Sequence, residues 1–210
     1  MLSLYISCLW FWIVYIKSIS YVLPRKHLTC SALLHTCVSI YLSHNNYNEY
    51  AFINSIAYYT NDTMYIVYTN YYNRKEQMFY LFHHIVSIYL ISLNMYTEQR
   101  ELLTIMYKMV ELSNIPLYIY YYTTKLTKDK YIIAIMSIVE TIWYGYYRLG
   151  LSIQYFEHKD TVDKLTYQKW MILGLFLFGV YSLIFLTSNM VFQCNKTIQL
   201  HNRKKVTLKK

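Results

Sequence analysis

Apolar residues in this chain come in blocks of about 16 to 25, separated by short polar links. A helix needs ~20 such residues to cross the hydrocarbon core of a bilayer. Seven blocks can be marked, at 2–22, 28–43, 51–72, 78–97, 101–122, 131–155 and 169–192. In lipid a segment of this length satisfies its backbone hydrogen bonds only as a helix or in a closed barrel. The sequence therefore predicts an all-α fold: a polytopic transmembrane helix bundle of about seven spans. The block at 28–43 is short, and the block at 101–122 is the weakest because it carries Lys108, Glu111 and Pro116. Composition points the same way. Hydrophobic residues make up 56% and charged residues 15% of the 210, too few charges for a soluble domain to cover that much apolar surface.

The links alternate in charge. Arg25 and Lys26, Arg74 and Lys75, Lys125, Lys128 and Lys130, and the tail residues Lys196, Arg203, Lys204, Lys205, Lys209 and Lys210 fall on one side, against Arg100, Lys159, Lys164 and Lys169 on the other. The positive-inside rule then puts the C-terminus in the cytosol and the N-terminus outside or in a lumen. The net charge of +9 is thus a record of membrane topology, and no nucleic-acid partner is expected. The first block lacks the basic start of a signal peptide, although Ser18-Ile-Ser20 resembles a weak cleavage site, and a retained helix is the favoured reading.

Several features carry little functional weight. The 27 tyrosines include many at block edges, such as Tyr71, Tyr72 and Tyr118 to Tyr122, where an amphipathic ring suits the headgroup layer. Cys8, Cys30, Cys37 and Cys194 form no C-x-x-C pair, and Cys30 and Cys37 share a helix face as small hydrophobes. The sequons at Asn61 and Asn195 are expected to be silent, one inside a span and one on the cytosolic side. The basic tail reads as solvated, with a weak capacity for anionic lipid headgroups.

Ionisable groups at membrane depth cost about 2.5 to 3.5 kcal/mol each on insertion scales, so each needs a reason. Asp62, Glu111, His35 and Glu140 lie near the centres of their blocks, while His83 and His84 sit nearer the cytosolic end of the fourth. Lys17 and Arg148 lie close enough to their helix ends for long stems to snorkel. His35, Asp62, one of the paired histidines and Glu111 are thus placed to meet inside the bundle. Neighbouring helical residues point ~100° apart, so one histidine can face that centre while the other meets an adjacent helix. Three roles compete for the pair. A diiron site needs H-x-x-x-H and H-x-x-H-H boxes, which the seven histidines do not form, and no metal is expected. A general acid/base histidine oriented by a carboxylate would suit acyl transfer. A hydrogen-bonded histidine–carboxylate clamp between helices is the structural alternative.

The motifs in order are Ala32-Leu-Leu-His35, Asn61-Asp62, Phe82-His-His-Ile-Val-Ser87, Val110-Glu-Leu-Ser-Asn-Ile-Pro116, Tyr147-Arg148-Leu149 and Ser188-Asn189-Met-Val-Phe192. This combination resembles the TLC-domain family of membrane proteins, which includes the ceramide synthases, over residues 22 to 198. The resemblance implies a six-helix core with one added N-terminal helix, an endoplasmic-reticulum membrane and a lipid cavity. It divides the chain into an N-terminal transmembrane helix (1–22), a TLC-type domain (23–198) and a basic cytosolic tail (199–210). In ceramide synthases a His-Asp step, with another Asp three residues on, follows the histidine pair; here those positions are Val110, Glu111 and Asn114. The chain is therefore closer to the non-synthase, lipid-associated branch. The implied function is to bind or regulate membrane lipids, with an effect on sphingolipid or phospholipid composition. The alternative is an acyl-CoA-dependent sphingoid-base N-acyltransferase. It would use His83 or His84 as base, with Asp62 and Glu111 as partners and acyl-CoA as co-substrate in place of any resident cofactor. His35, Asn114 and Arg148 are read as lipid-binding or structural polar residues. Sphingoid base and fatty acyl-CoA are the implied small partners, and self-association is left open. A seven-span receptor or transporter rests on span count alone.

Overall fold

Each apolar block forms a helix in the computed structural model, which describes residues 1–23, 27–69, 74–94, 100–158 and 168–207. The helices are α1 (Leu2–Val22), α2 (His27–His44), α3 (Asn48–Thr69), α4 (Arg74–Asn94), α5 (Arg100–Leu126), α6 (Lys130–Glu157) and α7 (Gln168–Thr207). No strand occurs among the described residues, so the all-α expectation holds. The expected link residues Arg25, Lys26, Tyr71, Tyr72, Lys159 and Lys164, the span ends 70–72 and 95–97, and the tail residues Lys209 and Lys210 lie outside the described residues. Helix α7 runs on through the expected tail as far as Thr207.

Local chemistry explains the boundaries. Asn46 takes φ 63, a left-handed conformation that asparagine tolerates. It ends α2 with Tyr47 N–H donating to Leu42 O at 2.8 Å and Asn46 N–H to Ser43 O at 3.3 Å, the paired bonds of a Schellman turn. Asp129 caps α6, its side chain accepting from Tyr131 N at 2.8 Å and Ile132 N at 3.4 Å. The weakest predicted block is the one with an unexpected solution. Pro116 lies inside a continuous α5, and a proline there leaves the carbonyl four residues earlier without its helical donor. That carbonyl belongs to Leu112, and the Trp143 indole Nε1 of α6 donates to it at 2.9 Å. A neighbouring helix thus repairs the gap that proline makes.

Six helices close into a ring in the order α2–α3–α4–α7–α6–α5 and back to α2, with α1 laid outside against α3 and, more lightly, α2. The seam between α5 and α6 is the most extensive, and the seam between α4 and α7 is the sparsest of the ring. Two apolar clusters brace it. One joins Val86, Leu90, Leu102, Leu103, Met106 and Leu151 of α4, α5 and α6. The other seats Trp12 of α1 among Ala51, Phe52, Tyr58 and Tyr59 of α3.

The distribution of polarity is inverted relative to a soluble protein. Among the described residues, twenty buried side chains are polar or charged beside twenty-one hydrophobic ones. The outer surface of α6 carries Ile132, Ile135, Val139, Ile142, Tyr146, Leu149 and Ile153, all exposed. Helix α2 shows the inversion best, because His27, Ser31, His35, Thr36, Ser39 and Ser43 form one buried polar stripe. Hydroxyls off this stripe return to their own helices, as in Thr60 to Ile56 O at 2.7 Å and Ser92 to Ile88 O at 2.7 Å, which satisfies them without water.

By length and composition, two helical stretches among the described residues are long and apolar enough to cross a membrane, Leu2–Val22 and Phe176–Leu200; the apolar stretch Tyr80–Ser92 is shorter. The expectation of seven spans is met in part: seven helices form among the described residues, and two pass this test.

Candidate functional site

The inward face of the ring holds two polar groups joined by Tyr59. The first is built on Glu111, which is 1% exposed. Its Oε2 accepts from Thr36 Oγ1 at 2.9 Å and its Oε1 from Tyr59 OH at 3.1 Å. His35 Nδ1 lies 3.9 Å from the same Oε2. On its other side His35 Nε2 meets Ser55 Oγ at 2.9 Å and Ser39 Oγ at 3.2 Å, and Ser55 also bonds the Tyr107 hydroxyl. The imidazole is stacked on Tyr58, ring centroids 4.2 Å apart and 11° from parallel. One helical register explains the set: Ser55, Tyr58, Tyr59 and Asp62 share a face of α3, as Tyr107 and Glu111 share one of α5. Nearly every lone pair and proton here has a partner, and the group ties α2, α3 and α5 together.

The second group is open. His84 Nε2 lies 3.5 Å from Asp62 Oδ2, at the outer limit of a hydrogen bond. Asp62 Oδ1 and His84 Nδ1 are both buried without a hydrogen-bond partner. Buried polar atoms in folded proteins are almost always paired, so this dyad differs from the closed group in keeping two unpartnered atoms. The Tyr59 ring stands 5.1 Å from the His84 ring and 5.2 Å from the His35 ring, closing the space between the two groups.

The two histidines diverge as their ~100° spacing requires. His84 faces α3, whereas His83 stacks on Phe178 of α7 at 5.1 Å and 15°, across the sparse seam. His83 Nδ1 has no partner either. Asn114, one turn past Glu111, is half-buried and joins neither group. Arg148 does not snorkel outward. It is 8% exposed, its guanidinium carbon lies 4.9 Å from the centre of the Tyr144 ring, and its stem crosses α7 at Gly179. A Cβ on Gly179 would sit 3.2 Å from Arg148 Cδ, so the arginine packs closely where α7 carries no side chain. Glu140 is buried on the same face of α6, its Oε2 unpartnered.

The structure thus divides the four residues expected to act together. Asp62 and His84 make one pair, Glu111 joins His35 in the closed group, and His83 turns to α7. Among the described residues no three His, Cys, Asp or Glu side chains converge to hold a metal ion. Tyr59, Thr36, Ser55, Ser39 and Tyr107 were not singled out in the sequence. Tyr59 was hidden by the abundance of tyrosine, and the serines and threonine by their ordinary presence in helices; the available signal was their spacing from His35 and Asp62. The four cysteines are free, and Cys37 is exposed rather than packed. Asn61 is buried within α3. No family model, curated protein or solved structure matches this chain.

Proposed function

We propose that this chain is an integral membrane protein whose helix ring spans the bilayer and holds a lipid against the Asp62–His84 pair, so that it binds or regulates membrane lipids. The single observation carrying this reading is the half-satisfied Asp62–His84 dyad, buried inside a ring whose outer faces are apolar. Apolar surface outside with polar groups inside is the arrangement expected where lipid replaces water as solvent. The two stretches with clear membrane-spanning character support it. The alternating charge of the links supports a cytosolic C-terminus. The sequence resemblance to TLC-domain proteins supports a site in the endoplasmic reticulum and a six-helix core, for which the ring and its outlying α1 offer a matching count.

A second reading, N-acylation of a sphingoid base from acyl-CoA, is favoured by the same dyad. His84 Nε2 faces Asp62 at 3.5 Å, and the tautomer protonated there leaves the Nδ1 lone pair free. That nitrogen takes a proton from the attacking amine as the N–C amide bond forms. The thioester C–S bond then breaks, and the proton passes to the departing thiolate. Asp62 stabilises the imidazolium between the two steps.

The test is expression in membranes lacking ceramide synthase, with a labelled acyl chain supplied and lipids read by mass spectrometry. Lipid that co-purifies with the wild type, and changes in amount or class in His84→Ala and Asp62→Asn, supports the binding reading. Labelled ceramide that vanishes in His84→Ala establishes the enzyme instead. A wild type that retains no lipid and alters none sinks both.

A further inference from the structure

We propose that Arg148 binds the anionic headgroup of the lipid, a carboxylate or a phosphate ester, which deepens the lipid-site reading above and rests on it. A guanidinium keeps its proton in any protein environment, so a buried one needs an anion or a dense set of acceptors. Arg148 has neither. It is 8% exposed, its Nε is buried without a partner, and among the described residues no carboxylate forms an ion pair with it.

What surrounds the group gives it no ion-pair partner among the described residues. Tyr144 occupies one face of the plane, and Cδ, Nε and Nη1 of the arginine lie against α7 at Gly179. Glu140, the buried acid on the same face of α6, stands eight residues away, ~12 Å along the helix, and has an unpartnered oxygen of its own. Glu111 accepts from Thr36 and Tyr59 and makes no direct ion pair with Arg148. The buried charge and the unpartnered Nε therefore suit an anion, and one that supplies two oxygens matches the planar fork.

Position ties this site to the first. Gly179, against which Arg148 packs, is the residue after Phe178, on which His83 stacks. An anion at Arg148 brings its lipid beside the α4–α7 seam, the sparsest in the ring, with the histidine pair on the adjacent wall. A neutral lipid would leave the guanidinium uncompensated, so the site discriminates by headgroup charge rather than by chain.

The experiment uses the full chain in phosphatidylcholine nanodiscs. Binding of oleate and of phosphatidic acid is compared with that of the uncharged oleyl alcohol and diacylglycerol, and with inorganic phosphate. The wild type is expected to prefer each anionic lipid by at least about tenfold, the lower end for a charge-assisted pair of hydrogen bonds. Arg148→Gln brings the preference to parity, Arg148→Lys keeps part of it, and Gly179→Ala weakens it by shifting the arginine. Equal binding of charged and uncharged lipids by the wild type overturns the proposal whether or not the variants fold, and leaves the lipid site standing. Inorganic phosphate binding as tightly as phosphatidic acid overturns the lipid as source of the anion. Failure to bind any of the lipids defeats the underlying lipid-site reading instead.

Discussion

The pairing of Pro116 with Trp143 makes a quantitative prediction. Pro116 has no N–H, so Leu112 O receives no helical donor and relies on the Trp143 indole at 2.9 Å. Trp143→Phe keeps the aromatic bulk and removes that donor. An unsatisfied polar group costs about 1–3 kcal/mol, while interhelical hydrogen bonds in membranes average ~0.6 and reach ~1.7 kcal/mol. The lower set applies where the carbonyl has another partner to turn to, which Pro116 denies it, so a loss of about 1.5 kcal/mol is expected. In a Pro116→Ala background the restored N–H donates to the same carbonyl, and Trp143→Phe costs about 0.5 kcal/mol or less. The coupling in the double-mutant cycle is therefore about 1 kcal/mol. For a chain of this size that amounts to ~2–4 °C in midpoint, measured by circular dichroism during thermal unfolding in detergent. Costs that add within ~0.5 kcal/mol would refute the reasoning, because the indole would then be no replacement for the missing amide.

Three further outcomes are expected from the same assay or from labelling. Trp12→Phe breaks the 3.0 Å bond to Asn54 Oδ1 and costs about 1 kcal/mol, whereas Trp12→Ala costs ~3–5 kcal/mol by emptying its socket in α3; two neutral results would show that α1 is not held by the bundle. Glu111→Leu leaves Thr36 and Tyr59 without their acceptor and destabilises by about 1–3 kcal/mol. Glu140→Leu, whose Oε2 has no partner to lose, is neutral or stabilising, and equal losses would contradict the contrast. In a background where Cys8, Cys30, Cys37 and Cys194 are replaced, Asn45→Cys and Lys128→Cys react with an impermeant maleimide from opposite sides of sealed vesicles. Labelling of both from one side would rule out the serpentine path.

Much of the fold was legible because it depends on local periodicity and length. The block at 78–97 became α4 and that at 131–155 became α6, each displaced by only a few residues where described. The doubtful block at 101–122 became a continuous α5, since a single missing amide is a local fault that a neighbouring indole can mend. The polar positions near block centres were also legible, because His35, Asp62 and Glu111 are ionisable groups set within apolar blocks, and all three are buried. Their partners were not. Glu111 and Asp62 have the same chemistry, yet one is closed by Thr36 and Tyr59 while the other keeps an orphan oxygen. Nothing in the spacing along the chain distinguishes them.

The sequence by itself determined that the described residues are helical, where most of their helices begin and end, and that His35, Asp62, Glu111 and Glu140 sit within apolar stretches. These follow from backbone hydrogen bonding and from periodicity within one helix, both of which act over a few residues. Only the tertiary structure decided that His84 meets Asp62, that His83 turns to Phe178, and that Arg148 lies buried across Gly179 rather than reaching outward. Those outcomes depend on the rotation of each helix about its axis and on its neighbours in the ring, and rotations of this kind are set by side chains far apart in the chain packing against one another.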